Sequence, residues 1–243
     1  MLPILVSLGP VKIYAYGVLI AIGLFVALYY WWKMGRDEHW DEIALFDGYF
    51  LSLLVFGVVG RIGYVLTHYS DVGTLYRSIA ILSYPGINVL VGLCGLAIFS
   101  VLFARYQDWP EWKVSDAMVV ALSVALVFGG LGSLFNGTNP SWQINAGFLA
   151  WTILTFTIVV RVRKNFRFYS WYKGESSVAQ DGLASLVFLE FAGLYLAIGG
   201  IFGQRLWQLG LVVALITPYV IYRRVGRREA GLWGKLMSVI RRK

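Results

Sequence analysis

The chain of 243 residues is 58% hydrophobic, 16% aromatic and only 14% charged, with a mean hydropathy of +0.68. That excludes an ordinary soluble domain and makes it an integral membrane protein. Its formal charge of +8 would suit nucleic acid only if the basic residues formed one patch, and they do not.

Apolar runs of spanning length occupy residues 14–32, 44–66, 87–103, 117–135, 144–160, 182–202 and 206–222, which predicts seven transmembrane helices. The first run is too long for a signal-peptide core and no small-residue cleavage site follows it, so it is expected to be retained. Tyr29, Tyr30, Trp31 and Trp32 close it, as an interfacial aromatic belt would. In the second run stand Asp47, near one end and expected to be solvated, and Arg61. Pro85 and Gly86 break the chain before the third run. Trp109 and Trp112 flank the fourth, Ser115 and Asp116 are placed to cap it, and Gly129, Gly130, Gly132, Asn136 and Gly137 close it. Trp171 and Tyr172 fall in a basic loop between the fifth and sixth runs, and Glu190 lies within the sixth.

The segments 33–43, 104–116, 161–181 and 223–243 hold 17 of the 21 lysines and arginines, and the opposite face holds only Lys12, Arg77 and Arg205. The positive-inside rule therefore predicts an all-α polytopic protein with the N-terminus outside and the C-terminus cytoplasmic. Residues 1–225 form the transmembrane domain. Residues 226–243 read as a basic amphipathic tail lying on an anionic leaflet. Topology thus accounts for the charge, and no nucleic-acid partner is expected. One cysteine, Cys94, in an apolar run and two distant histidines, His39 and His68, give no basis for a disulfide framework or a metal site.

Arg61 is the residue that needs explaining. An arginine within a span costs about 2.5 to 3.5 kcal/mol at mid-depth, so it faces protein, water or a lipid head group. Gly57, Gly60 and Gly63 permit close helix approach beside it. Two readings stand: a buried polar site between helices, or a side chain that snorkels to the interface. Tyr16, Asn88, Asn136, Asn145, Glu190 and Gln208 are further polar groups at membrane depth. Glu190 reads either as a protonated structural group or as a functional one. A depth gap of roughly 13 Å along the helices argues against an ion pair with Arg61.

The motifs SLGPVKIYAYGVLI (7–20), GRIGYVL (60–66), VSD (114–116) and FNG (135–137) resemble, in order and spacing, those of the bacterial prolipoprotein diacylglyceryl transferases. The resemblance runs from the N-terminus to about Tyr222. It implies a multi-pass protein of the bacterial cytoplasmic membrane that moves the diacylglyceryl group of phosphatidylglycerol onto the thiol of a prolipoprotein lipobox cysteine, releasing glycerol phosphate without a cofactor. It also implies that Tyr16, Arg61, Asn136 and Gly137 belong to the lipid cavity. Gly60, Gly63, Gly129 and Gly132 suit close backbone approach to a ligand there.

The departures from the family pattern are specific. Leu90 stands where the family has a histidine, Gly130 and Leu196 where it has arginines, Ser133 where it has an asparagine, and Thr138 and Gly200 where it has glutamates. The long segment that follows the signature is nearly absent. Phosphate departure needs preorganised positive charge and thiol attack needs a base or a lowered pKa, so no catalytic residue is assigned; Arg77 and Arg205 are candidates to substitute in part. Two hypotheses follow: a divergent diacylglyceryl transferase, or a catalytically degenerate relative that binds anionic phospholipid or a membrane partner without turnover. The residues taken singly favour the second, and family membership favours the first by analogy. A transporter or channel would need half-helix pairs or a ring of charges, which the sequence lacks.

Overall fold

A computed structural model describes residues 4–8, 11–72, 74–79, 84, 86–136, 141–166, 181–199 and 206–240. The chain enters its first helix through a feature that the apolar runs did not predict. Strands β1 (Ile4–Leu8) and β2 (Val11–Tyr14) pair antiparallel, Leu8 opposite Val11 and Ile4 opposite Tyr14. The β-branched Val6, Val11 and Ile13 on either side of the dipeptide Gly9-Pro10 carry that signal.

All remaining elements are helical: α1 (Ala15–Asp37), α2 (Glu42–Thr67), the short α3 (Tyr69–Val72) and α4 (Leu75–Ile79), α5 (Val89–Tyr106), α6 (Glu111–Asn136), α7 (Trp142–Phe166), α8 (Leu183–Gly199) and α9 (Trp207–Ile240). Among the described residues, α1, α2, α5, α6 and α7 are long and apolar enough to cross a membrane. The described part of helix α8 has 17 residues, about 25 Å at 1.5 Å per residue against a hydrocarbon core of about 30 Å. The apolar stretch of α9, Trp207–Arg223, is equally short.

The chain forms two compact units, Phe25–Ala121 and the combination of Met1–Leu24 with Leu122–Lys243. In the first, α1 and α5 end alike. His39 and Asp108 take left-handed backbone conformations, with φ of 60° and 54°. Trp40 N–H then donates to Gly35 O at 3.0 Å and Trp109 N–H to Ala104 O at 2.8 Å. These are the six-to-one bonds of Schellman motifs, and they satisfy carbonyls that a helix end leaves orphaned. The two tryptophans so placed stack with ring centroids 4.5 Å apart and planes 8° from parallel. Trp31 is buried and donates its indole N–H to Leu45 O at 2.8 Å. Trp31 therefore belongs to the core of this unit, Trp109 is half-buried against Trp40 and Phe103, and Tyr29 and Trp112 are exposed. Asp41 caps α2 by accepting from Ala44 N–H at 2.8 Å. Ser115 is no cap, because α6 already begins at Glu111 and the Ser115 hydroxyl donates back to Glu111 O. An ion pair of 2.8 Å joins Lys113 to Glu38.

In the other unit small residues set the helix spacing. A β-carbon on Gly23 of α1 would lie 2.5 Å from Phe128 Cβ of α6, and one on Gly210 of α9 would lie 2.5 Å from Ala197 N of α8. Backbones this close are the mark of packing between membrane helices, where contact rather than the hydrophobic effect drives association. Trp151 of α7 reaches α8 by donating its indole N–H to Phe191 O at 3.2 Å.

Candidate functional site

The GRIGYVL stretch forms the last two turns of α2, and each of its first residues receives part of the chain that follows. Gly60 O accepts the N–H of Asn88 at 2.9 Å. A β-carbon on Gly60 would meet Ile87 Cγ2 at 2.6 Å, and one on Gly63 would meet Val91 Cβ at 2.7 Å. Gly86 lies directly against the Tyr64 ring, which stacks on His68 with centroids 4.4 Å apart. Asn88, read from the sequence as a polar group at depth, has a local role: its side chain accepts from Val91 N–H at 3.2 Å and caps α5.

Arg61 is at the centre of this platform and is only 6% exposed. Its Nε donates to Ser78 O at 2.9 Å, Nη2 to Arg77 O at 2.8 Å and Nη1 to Gly86 O at 2.9 Å. Arg77 and Ser78 lie in the last turn of α4, so the guanidinium serves as that helix's cap, placing positive charge at the negative end of its dipole. Its carbon lies 5.5 Å from the Tyr64 ring centroid. The snorkelling reading therefore does not hold: the side chain is buried and bonded to backbone. Among the described residues no carboxylate pairs with it, and three of its five donors are engaged.

Beside Arg61 is a cleft of about 570 Å³, walled by Leu54, Gly57, Val58 and Ile62 of α2 and by Ser78 and Ile79 of α4. Arg61 and Ser78 are its polar lining residues; the α2 wall is otherwise hydrocarbon and glycine backbone. The sequence reading singled out Arg61, Gly60 and Gly63 but not the α4 wall. Its signal was an arginine without a partner in its own helix.

A second group lies in the unit that contains the start of α1 and the end of α6. A β-carbon on Gly132 would sit 2.7 Å from Tyr16 Cδ2, and one on Gly129 would sit 3.8 Å from Ile20 Cδ1. Tyr16 is exposed. Asn136 ends α6 with a buried side-chain oxygen that accepts no hydrogen bond among the described residues. Glu190 in α8 has a buried carboxylate oxygen in the same condition. Gly137, Thr138, Gly200 and Arg205 lie outside the described residues, as do Trp171 and Tyr172.

The substituted positions have their own surroundings. Leu90 is half-buried in the first turn of α5. Gly130 is buried against α7, where a β-carbon would come within 3.0 Å of Thr152 Oγ1 and 3.1 Å of Leu149 Cα. The Cβ of Leu196 lies against Gly210 of α9. Ser133 donates to Gly130 O of its own helix at 2.8 Å.

Comparison with known proteins gives a match over residues 3–142 to the profile of the prolipoprotein diacylglyceryl transferase family. The phosphatidylglycerol–prolipoprotein diacylglyceryl transferase of Desulfotalea psychrophila is 25% identical over 234 residues, 88% of this chain and 85% of that protein. The protein of the same name from Aliarcobacter butzleri is 28% identical over 168 residues, 60% of each chain. That of Thermus thermophilus is 32% identical over 146 residues, 58% of this chain and 50% of the relative. In the last two the match spans only half to three fifths of the relative's length.

Proposed function

Because the chain belongs to the prolipoprotein diacylglyceryl transferase family, we propose that it takes up phosphatidylglycerol or another anionic phospholipid within a bacterial cytoplasmic membrane. The observation that carries this is Arg61: a buried guanidinium, unpaired with any described carboxylate, that lines an apolar cleft. A guanidinium binds phosphate through paired donors, and two of its donors are not engaged by described residues. Tyr16 and Asn136 supply a hydroxyl and an unmet acceptor at the other group of lipid-side positions. The proposal includes seven membrane passes, with α8 and the first half of α9 as the sixth and seventh, and with the N-terminus outside; the distribution of 17 basic residues supports it.

The relatives are named for transfer of diacylglyceryl to prolipoprotein. The alternative for this chain is lipid binding without transfer, in keeping with the glycine at position 130, where the family resemblance places a cation. A side chain there would ask Thr152 and Leu149 of α7 to give by a few tenths of an ångström. Full-length protein in nanodiscs, given phosphatidylglycerol and a lipobox peptide, tests both parts. Selective retention of phosphatidylglycerol over a zwitterionic lipid, with no glycerol phosphate released above background, is expected. Robust release would establish transfer, and equal retention of both lipids would remove the lipid-binding reading.

A further inference from the structure

Glu190 is the one charged residue of α8, half-buried, with an Oε2 atom that is buried and has no hydrogen-bond partner among the described residues. Buried polar atoms are nearly always paired, so this one calls for a partner. No cation supplies it. Helix α8 packs against α7 and α9. On α7 the charged residues are Arg161, Arg163 and Lys164, ten or more residues beyond Trp151, which is level with Phe191; that is about 15 Å along the helix. On α9 the first cation is Arg223, 5.6 Å from the centre of the Tyr219 ring, and Tyr219 and Tyr222 are exposed. Tyr195 of α8 turns to α7, against Phe148 and Trp151. The ion pairs among the described residues join other groups.

What α9 offers instead is a surplus of acceptors. Glu190 stands three residues before Gly193, on nearly the same side of α8, and Gly193 faces α9: a β-carbon there would lie 2.8 Å from Val213 Cγ1 and 3.0 Å from Ala214 N. Gly210 lies in the same way against Leu196 and Ala197. Numbers that rise along α8 thus fall along α9, and Glu190, one turn before Gly193, comes level with the buried Thr217. Pro218 follows within the helix. Proline has no N–H to give to the carbonyl four residues back, here Ala214 O, and helix carbonyls point toward the C-terminus, which on α9 is toward the level of Glu190. The Thr217 hydroxyl donates to Val213 O at 2.8 Å, so it too presents only lone pairs. An ionised carboxylate has nothing to donate to either group, whereas a protonated carboxyl has one O–H.

We propose that Glu190 is a proton-dependent latch between α8 and α9, its protonated carboxyl donating to Ala214 O, the carbonyl that Pro218 leaves without a donor. When the proton passes to water, the carboxylate faces that carbonyl and the Thr217 oxygen with lone pairs alone, and the two helices are pushed apart at this level. The same seam continues to Leu196 and Gly210, so the latch bears on how closely α8 and α9 meet there. It is independent of the reading of Arg61 as a lipid-phosphate ligand.

The test uses full-length protein in nanodiscs, followed by infrared difference spectroscopy and thermal melting. Wild type at neutral pH is expected to show the C=O stretch of a protonated carboxyl that Glu190→Gln removes, and this band is expected to shift in Pro218→Ala, where a restored N–H takes the carbonyl. Glu190→Leu is expected to lower the melting temperature by about 2 to 4 °C, the effect of one buried hydrogen bond in a chain of this size. Glu190→Gln, whose amide still donates, should lower it less, and in the Pro218→Ala background Glu190→Leu should have no effect. Because the contact exists only with the proton in place, stability is lost as pH rises: loss of the band should bring wild type down to the melting temperature of Glu190→Leu. Absence of the band from wild type overturns the proposal, as does a band that Pro218→Ala leaves unshifted. So does an equal effect of Glu190→Leu in the wild-type and Pro218→Ala backgrounds. The band shift decides the matter even if Glu190→Leu does not fold.

Discussion

Replacing Arg61 by leucine is expected to release the segment that ends α4 and leads into α5. The guanidinium donates to three carbonyls, those of Arg77, Ser78 and Gly86, and hydrogen bonds to charged groups are worth about 1.5 to 3 kcal/mol each. The bonds do not simply add, because removing the arginine also removes the cost of burying its charge. A net local loss of about 2 to 4 kcal/mol follows, which at 1.4 kcal/mol per factor of ten is about a 30- to 700-fold rise in opening. Amide hydrogen exchange reads this directly. Ser78 N–H, bonded to Thr74 O, and Asn88 N–H, bonded to Gly60 O, should lose protection by that factor while the first half of α2 keeps its own. Arg61→Lys should restore part of it, because an ammonium cannot reproduce a fork that reaches three carbonyls. Unchanged exchange at Ser78 and Asn88 in a folded Arg61→Leu protein would refute the reasoning.

Three further outcomes are expected. A reporter fused after Lys243, or within residues 163–173, should signal the cytoplasm, and fusions near Asp71 and Asn139 the outside; a cytoplasmic signal near Asn139 would break the seven-pass topology. Trp40→Ala should destabilise the protein by about 3 to 5 kcal/mol and the half-buried Trp109→Ala by less, and a double-mutant cycle should give a coupling of about 0.5 to 1.5 kcal/mol from the stacked pair, with zero coupling counting against the stack. Gly130→Arg alone should lower the melting temperature, an overpacking cost of about 1 to 3 kcal/mol, and combining it with Leu90→His and Leu196→Arg should yield at most traces of glycerol phosphate; a fully stable Gly130→Arg protein would show that the α6–α7 contact is looser than described.

Where the chain is helical was legible in the sequence, because membrane helices declare themselves by composition: among the described residues, each of the seven apolar runs falls largely on a helix. The ends were less legible. Ser115 looked like a cap beside an apolar run, but α6 begins a turn earlier because helix ends depend on which orphan backbone groups find partners, not on where hydropathy changes. The hairpin before α1 was hidden by its apolar neighbours. Aromatic residues near span ends were read as a belt, and composition cannot separate a belt from a core; the left-handed turns at His39 and Asp108 decide that Trp40 and Trp109 face each other. Arg61 was conspicuous from sequence alone, as a charge within hydrocarbon. Its partners were not, because they are backbone carbonyls 16, 17 and 25 residues away, and a carbonyl carries no residue identity for a sequence to show. The glycines are the clearest case. Gly57, Gly60 and Gly63 read alike as small residues on one helix, yet folding sets two of them against neighbouring chain and leaves the third open, since only the tertiary structure determines what stands opposite a missing side chain.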